Sequence, residues 1–442
     1  MKYRDIPSDL FVGNRRRLAE SLPENAFAVL HSADIPWRSA DGATRFIQNS
    51  DLFYLTGVDQ EETILILCPG HQDPAKREIL FVRETSDTIA VWEGHKLSRE
   101  QASRATGVET VEWTSAFPSV LRRLARRMPV IFLNHNEHAR AGSPVNFSLD
   151  DRFRQHCQVL YPDHRYERLA PLMHRLRVAK RPEEIDLIRT ACDITAAGFD
   201  RVLRYVRSGV KEYEVEAEWL HEFARSGSRG FAYEPIVASG ANANVLHYLD
   251  NDQTCRDGDL LLMDVGAEYA NYNADLTRTI PVNGRFTDRQ RDVYEAVLRI
   301  FRLCVDELIV PGKHVRKEYH REVARAMEDE LIGLGLLDRG EVEEERQDED
   351  LPEEKRLYRR YFMHGVSHSL GLDVHDVTPS EGFFVENMCV TVEPGIYIRE
   401  EGFGVRLEND IVVRREGNID LMASVPIEPD EIESLMTPSS NP

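Results

Sequence analysis

The stretch RDGDLLLMDVGAEYANYNADLTRTIPVNGRF, residues 256–286, sets an aspartate beside each of two apolar runs. The runs at 259–265 and 277–282 are rich in leucine, isoleucine, valine and threonine, which is typical of strands. A hairpin between these runs would bring Asp264 and Asp275 together. Taken singly, each aspartate is more typical of an ordinary turn or cap, so the pair gains meaning only from what surrounds it.

Outward from that stretch, the pattern predicts two kinds of domain. Around it, helical spacing at 182–206, 212–226 and 293–308 is combined with strand-like runs at 388–392 and 411–413, which indicates an α+β domain. Before residue 170, short apolar runs alternate with helical stretches, which indicates an α/β domain. The segment AKRPEE, 179–184, opens a helix with proline and two acids. We expect an amino-terminal domain at 1–172 and a catalytic domain at 173–442.

Composition excludes several classes of function. The chain has 442 residues and a formal net charge of -21, which disfavours nucleic acid as a partner. The first ten residues lack an apolar core and the apolar runs fall well short of the ~18 residues that span a bilayer, so we expect a cytoplasmic protein without membrane contact. Six cysteines without any C-x-x-C pair indicate reduced thiols. The acidic segment 338–356 is interpreted as a solvated insert or loop.

A histidine cluster lies further along, in FMHGVSHSLGLDVHD, residues 362–376. His364, His368 and His375 are unusually close for core histidines. His364 and His368 have the i, i+4 spacing of a zinc-protease helix, but Gly365 stands where the general-base glutamate of that motif belongs. Ser367 lacks the closing glycine of a nucleophile elbow. Neither motif is therefore favoured.

The acids of the second domain complete a possible metal site. Glu393 follows the apolar run that ends at 392, and alternation puts Arg406 and Glu408 on one strand face. Four carboxylates with one imidazole are hard donors that suit manganese, cobalt or iron better than a thiolate-type zinc site. Four such acids would approximately balance two divalent ions, and two ions ~3.5–4 Å apart can share a hydroxide. The set predicts a hydrolase, with the ligands Asp264, Asp275, His368, Glu393 and Glu408.

Long ordered motifs carry a family resemblance. In the second domain these are residues 176–202, 231–248, 256–286 and 363–377, with TVEPGIYI at 391–398 and VRLENDIVV at 405–413. In the first domain they are NSDLFYLTG, EILFVRE and VWEGHKLS. The sequence resembles the M24, or pita-bread, metallopeptidases, and among them the aminopeptidase P group, whose amino-terminal domain the first half matches. The resemblance implies an α/β amino-terminal domain followed by an α+β pita-bread catalytic domain.

The resemblance also implies roles for single residues. Asp264 would be a terminal ligand of one metal, Asp275 and Glu408 would bridge both, and His368 and Glu393 would complete the other. The metals would be two divalent ions, Mn²⁺ first, with Co²⁺, Fe²⁺ or Zn²⁺ as alternatives. Glu393 would also carry a proton to the leaving nitrogen. The remaining roles face the substrate: His247 and His375 at its carbonyls, His364 and Arg406 on the proline side, and Tyr233 and Tyr397 nearby.

The function implied is an Xaa-Pro aminopeptidase that attacks the bond before proline with a hydroxide bridging two metals. Its partners would be peptides with proline second, and its assembly a homodimer or homotetramer. The alternatives are a prolidase, which accepts only Xaa-Pro dipeptides, a metal-free creatinase-like hydrolase, and a non-catalytic binding protein on the same fold. The physiological peptide, the metal used in the cell and the oligomeric state stay open. Asn409 replaces the more usual aspartate after Glu408, and the acidic insert is longer than the family pattern leads us to expect.

Overall fold

The computed structural model describes residues 3–137, 148–348, 350–379 and 381–437. It divides into two compact units, one from Arg4 to Arg177 and the other from Val178 onward together with the first three residues. The division falls slightly after the boundary expected at 172–173. No helix in these ranges is long and apolar enough to cross a membrane.

The amino-terminal unit is built on one six-stranded mixed sheet. Its strands are β1 Ala26–His31, β2 Ile64–Leu67, β3 Glu78–Val82, β4 Thr110–Trp113, β5 Val130–Leu133 and β6 Arg165–Arg168. Its helices are α1 Ser8–Ser21, α2 Ser50–Thr56, α3 Asp87–Glu93, α4 Arg99–Thr106, α5 Phe117–Ala125, α6 Leu149–Leu160 and α7 Ala170–Val178. The strand order is β4-β3-β2-β1-β5-β6, with β1 antiparallel to β2 and parallel to β5. Phe27, Ile66 and Phe81 pack with Phe117 and Leu121 of α5 in one buried cluster.

The second unit combines helices with small antiparallel sheets. Its helices are α8 Pro182–Tyr205, α9 Glu212–Arg225, α10 Asp288–Leu303, α11 His320–Gly333, α12 Arg339–Arg346 and α13 Pro429–Met436. Its strands are β7 Ile236–Ser239, β8 Leu260–Val265, β9 Glu268–Tyr269, β10 Tyr272–Asn273, β11 Leu276–Pro281, β12 Cys389–Val392, β13 Gly395–Ile398, β14 Phe403–Arg406, β15 Asn409–Val412 and β16 Ile419–Asp420. The sheets have the orders β11-β8-β7, β12-β15-β16, β13-β14 and β10-β9.

The hairpin expected between the two aspartate runs is confirmed. Strand β8 pairs antiparallel with β11 so that Asp264 lies opposite Thr277. The chain reverses at Ala270 and Asn271, whose φ angles of 54° and 65° are those of a primed hairpin turn. At Gly266 a Cβ atom would lie 1.8 Å from the carbonyl oxygen of Ala274, so only glycine lets the two strands approach there.

The acidic segment 338–356, which the sequence predicts to be a solvated insert or loop, is partly helical. Its first part forms helix α12, because the Asp338 carboxylate accepts hydrogen bonds from the backbone of Gly340 at 2.8 Å and Glu341 at 3.1 Å. Val342 is completely buried, and Arg346 pairs with Glu328 of α11 at 2.7 Å. Arg346 also pairs with Asp329 at 2.8 Å, so helix α12 is held against α11 although composition alone marks the segment as solvated. The long helix expected to reach residue 308 ends at Leu303 and continues as a π-helical turn, Cys304–Leu308.

Candidate metal centre

Three of the five predicted ligands form a tight cluster in the second unit. Asp275, His368 and Glu408 each present a ligand atom, and these atoms lie within 4.8 Å of one another. The Nε2 atom of His368 is 3.5 Å from the Asp275 carboxylate and 3.7 Å from that of Glu393. Asp264 joins the same group through shared hydrogen-bond partners. The structure therefore brings together all five residues that the sequence proposes as ligands.

Strand ends and short bridges place these side chains. Asp264 lies in β8 and Asp275 immediately before β11. Glu408 sits between β14 and β15, where its backbone N–H donates to the Thr277 carbonyl at 3.0 Å. Glu393 follows β12 directly, and its N–H donates to Val366 at 2.9 Å. The cluster is thus fixed by backbone pairing among segments distant in sequence.

His368 is oriented by its neighbours on the backbone. The backbone N–H of His368 donates to the Thr391 hydroxyl at 3.2 Å. The ring Nδ1 atom of His368 lies 3.0 Å from the carbonyl oxygen of Ser369. A ring N–H at Nδ1 leaves Nε2 directed at the carboxylates, as a metal-ligating histidine requires. The centroid of the His375 ring lies 4.1 Å from that of the His368 ring, so the histidine expected to face the substrate is next to a predicted ligand.

Tyr233 contacts the acids rather than standing apart from them. Its hydroxyl donates to Asp264 at 2.6 Å and also contacts the Asp275 carboxylate. Burial, with the charge of both aspartates, raises the pKa of Tyr233 far above its usual value. A protonated phenol therefore joins the two acids of the hairpin. The substrate-binding role implied for Tyr233 stays a prediction.

Arg406 forms the opposite wall of the cluster. Its guanidinium donates to Asp264, to the Tyr397 hydroxyl at 2.8 Å and to the Thr277 hydroxyl at 3.1 Å. The Thr277 hydroxyl in turn donates to Glu408 at 2.6 Å. Sequence reasoning missed Thr277, because its hydrogen bond to Glu408 spans 131 residues of sequence. This threonine links Arg406 to Glu408, one of the predicted ligands.

His364 lies on the side of Tyr397. Its Nε2 atom is 2.7 Å from the Tyr397 hydroxyl and its Nδ1 atom is 3.5 Å from Glu393. Burial, together with the charges of Arg406 and other nearby bases, lowers the pKa of His364 to about 3, so its ring is neutral. One of those bases is His247, which lies in an exposed turn close enough to act on His364. Hydrogen bonds, ion-pair distances and ring contacts bring six of the seven residues of the predicted catalytic and substrate set to this site, and the place of His247 at the substrate stays a prediction.

The carboxylates repel one another strongly. Burial, opposed by His368 and Arg406, raises the pKa of Glu393 to about 7. Burial and then the charges of Asp275 and Glu393 raise the pKa of Glu408 well above its usual range. Burial would lower the pKa of His368, but Asp275 and Glu393 outweigh it and raise it to about 9. Buried acids that resist ionisation together form a donor set that divalent cations would neutralise, so these residues fit metal ions.

The comparisons with known proteins agree with this geometry. The profile of metallopeptidase family M24 matches residues 186–415, and that of the aminopeptidase P N-terminal domain matches residues 11–132. The Xaa-Pro aminopeptidase of Escherichia coli is 37% identical over 98% of both chains. Human Xaa-Pro aminopeptidase 3 is 32% identical over 92% of this chain and 79% of its own.

Solved structures show the same fold. A zinc-substituted E. coli aminopeptidase P in complex with product has a TM-score of 0.85 at 34% identity, covering 99% of this chain and 100% of that one. A structure described as a putative aminopeptidase P from Bacillus anthracis has a TM-score of 0.88 at 32% identity, covering 97% and 98%. The predicted fold, an α/β amino-terminal domain followed by a pita-bread catalytic domain, is confirmed. The chain belongs to metallopeptidase family M24 and, within it, to the aminopeptidase P group.

Proposed function

We propose that this chain is an Xaa-Pro aminopeptidase, which removes an N-terminal residue that stands before proline. One observation carries the proposal, namely that two features occur in the same chain. The first is the acid and histidine cluster around Asp275, His368 and Glu408. The second is an aminopeptidase P-type amino-terminal domain. The first feature supplies hydrolysis, and the second separates this chain from family members without that domain. Near full-length relatives named Xaa-Pro aminopeptidase support the same activity.

The metals we propose are two divalent ions, Mn²⁺ first, with Co²⁺, Fe²⁺ or Zn²⁺ as alternatives. Four carboxylates balance the charge of two such ions, and oxygen donors suit manganese. When bound, divalent ions lower the pKa of water and polarise a carbonyl, which is the chemistry that amide hydrolysis needs. Elemental analysis of purified protein tests this, with two equivalents of metal expected. The ligands would be Asp264, Asp275, His368, Glu393 and Glu408.

The substrate explains the neighbouring side chains. An Xaa-Pro bond has no amide N–H, so a peptidase cannot hold it through that group. We assign His247 and His375 to the substrate carbonyls, and His364 with Arg406 and Tyr397 to the side that receives proline. The neutral His364 ring suits an uncharged pyrrolidine ring. Glu393 lies 3.7 Å from His368 within the same cluster, and we assign it to carrying a proton to the proline nitrogen because of that place beside the hydroxide.

The competing function is a prolidase. It would use the same ligands but also require the free carboxylate of an Xaa-Pro dipeptide. Three relatives that match 92–98% of this chain are named Xaa-Pro aminopeptidases, which disfavours a prolidase. The complete acid and histidine set likewise disfavours a non-catalytic binding protein or a metal-free creatinase-like enzyme.

One assay separates the two peptidases. We expect manganese-loaded protein to release arginine from Arg-Pro-Pro and to stop after the first residue. Arg-Ala-Pro is the matched control, and its kcat/KM should be far lower because the rigid ring fills the proline pocket. Ala-Pro is the prolidase substrate. Turnover of Ala-Pro with Arg-Pro-Pro left intact would establish a prolidase, whereas no turnover of either by fully loaded protein would refute both.

Location and assembly complete the proposal. Within the described residues all six cysteines are buried free thiols, which supports the reducing cytoplasm. The net charge of -21 argues against nucleic acid. The resemblance to the aminopeptidase P group is what supports a homodimer or homotetramer. Light scattering on a sizing column distinguishes these assemblies from a monomer.

A further inference from the structure

Glu212, the first residue of α9, is completely buried and accepts five hydrogen bonds from a single segment, residues 239–253. One carboxylate oxygen accepts from the Ser239 N–H at 2.7 Å, from the Ser239 hydroxyl at 2.6 Å and from the Asn242 amide at 3.1 Å. The other accepts from the Tyr248 hydroxyl at 2.8 Å and from the Gln253 N–H at 2.9 Å. The bonds therefore hold the start, the middle and the end of that segment.

The same segment carries His247 and packs against Tyr397, whose hydroxyl contacts His364 and Arg406. His247 precedes Tyr248 directly, so one hydrogen-bonded residue separates it from Glu212. Ala243 and Tyr248 pack with Tyr397 in one apolar cluster. A Cβ atom at Gly404 would lie 3.1 Å from the Ala243 carbonyl oxygen, so the segment rests closely on β14.

The hydrogen bonds of the buried Glu212 carboxylate stabilise segment 239–253. A buried charge is costly unless hydrogen bonds compensate it, and here five donors do so. Conversely, the N–H of the buried Ser239 is a donor that needs an acceptor away from water. An amide in place of the carboxylate keeps one acceptor oxygen and turns an NH₂ group towards donors. The hydrogen bonds that hold one end of segment 239–253 would therefore weaken.

We propose that Glu212 is a positioning residue for hydrolysis, which acts by fixing the segment 239–253 and so the place of His247 at the substrate. The inference rests on the proposed function, because it needs a substrate for His247 to contact. Glu212 itself touches none of the five proposed metal ligands. Its effect on turnover passes through His247.

The test is a double-mutant cycle of Glu212→Gln and His247→Ala, assayed with Arg-Pro-Pro. We expect Glu212→Gln to lower kcat/KM about tenfold in the parent chain and by less than about twofold in the His247→Ala background. Metal content should stay unchanged in all four proteins. The matched control is Glu184→Gln, since Glu184 is also buried in the first turn of its helix and accepts from a tyrosine, Tyr272, at 3.1 Å. That control should leave kcat/KM unchanged in both backgrounds.

If Glu212→Gln fails to fold, Tyr248→Phe supplies the test, because it removes only the hydroxyl that donates to Glu212 and leaves the buried carboxylate in place. It should lower kcat/KM a few-fold in the parent and have no effect after His247→Ala. Losses that multiply with His247→Ala, or loss of metal from Glu212→Gln, would overturn the positioning role. A parent chain that does not cleave Arg-Pro-Pro would instead refute the proposed function, so the two failures are distinguishable.

Discussion

The backbone N–H of Asp275 donates to the carboxylate of Asp410 at 3.0 Å, across 135 residues of sequence. The same carboxylate oxygen accepts from the Cys192 thiol at 3.3 Å, and Asp410 is completely buried. Asp275 is therefore fixed through its main chain, independently of the charge on its side chain. Because the main chain of Asp275 is held by Asp410, a substitution at Asp275 can change the side-chain charge without moving the backbone.

Asp275→Asn should keep the fold and lose metal. The amide is the same size, but it removes one negative charge from the cluster and one anionic oxygen from the proposed bridge. We expect metal affinity and kcat/KM to fall together by at least about tenfold. Elemental analysis, calorimetric titration and steady-state rates measure these changes. Asp200→Asn, at an exposed acid of α8, is the control and should change neither. An Asp275→Asn protein with full metal content would contradict the bridging role.

His375→Ala should retain metal and lose turnover. The His375 ring lies beside His368 but is proposed to face the substrate carbonyl, where a donor to a developing oxyanion contributes roughly 2.7–4 kcal/mol. We expect kcat to fall about 10²–10³-fold with KM little changed. His368→Ala is the matched contrast and should lose metal. Loss of metal from His375→Ala would show that its role is misassigned.

Metal binding should release protons and tighten as pH rises. In the metal-free chain the pKa of His368 is raised to about 9 and that of Glu393 to about 7, so both hold protons at or below neutral pH. Cations bind the deprotonated groups, and therefore apparent affinity should increase from pH 6 to pH 8. Calorimetry in two buffers of different ionisation enthalpy measures the protons released. An affinity that is constant over this range would exclude His368 as a ligand.

Gly266→Ala should disturb the hairpin and the metal centre together. The added methyl group would lie 1.8 Å from the Ala274 carbonyl oxygen, a backbone atom that cannot turn aside. We expect a loss of about 1–3 kcal/mol in the free energy of unfolding, together with lower metal content. Thermal denaturation and elemental analysis measure the two. Gly333→Ala, at the end of α11 with open space around it, is the control and should not lower stability.

Local patterns made the hairpin and the ligand types predictable from the sequence. Alternation fixes which strand residues share a face, so the pairing of the Asp264 and Asp275 runs follows from β8 and β11 alone. The links through Thr277 and Asp410 do not follow, because each depends on the approach of a segment more than a hundred residues away. Helix α12 escaped prediction for a related reason: its buried Val342 and the Arg346 pair with Glu328 are tertiary contacts.

The origin of the ligands has a consequence for biosynthesis. Asp264 and Asp275 come from one hairpin, whereas His368, Glu393 and Glu408 come from much later segments. A chain still on the ribosome carries the hairpin long before β14 and β15 have been made, and domains fold in the order in which they emerge. The nascent hairpin therefore offers a cation two acids, without the imidazole and the remaining carboxylates. We therefore expect metal to bind after translation, once the late strands have joined the hairpin.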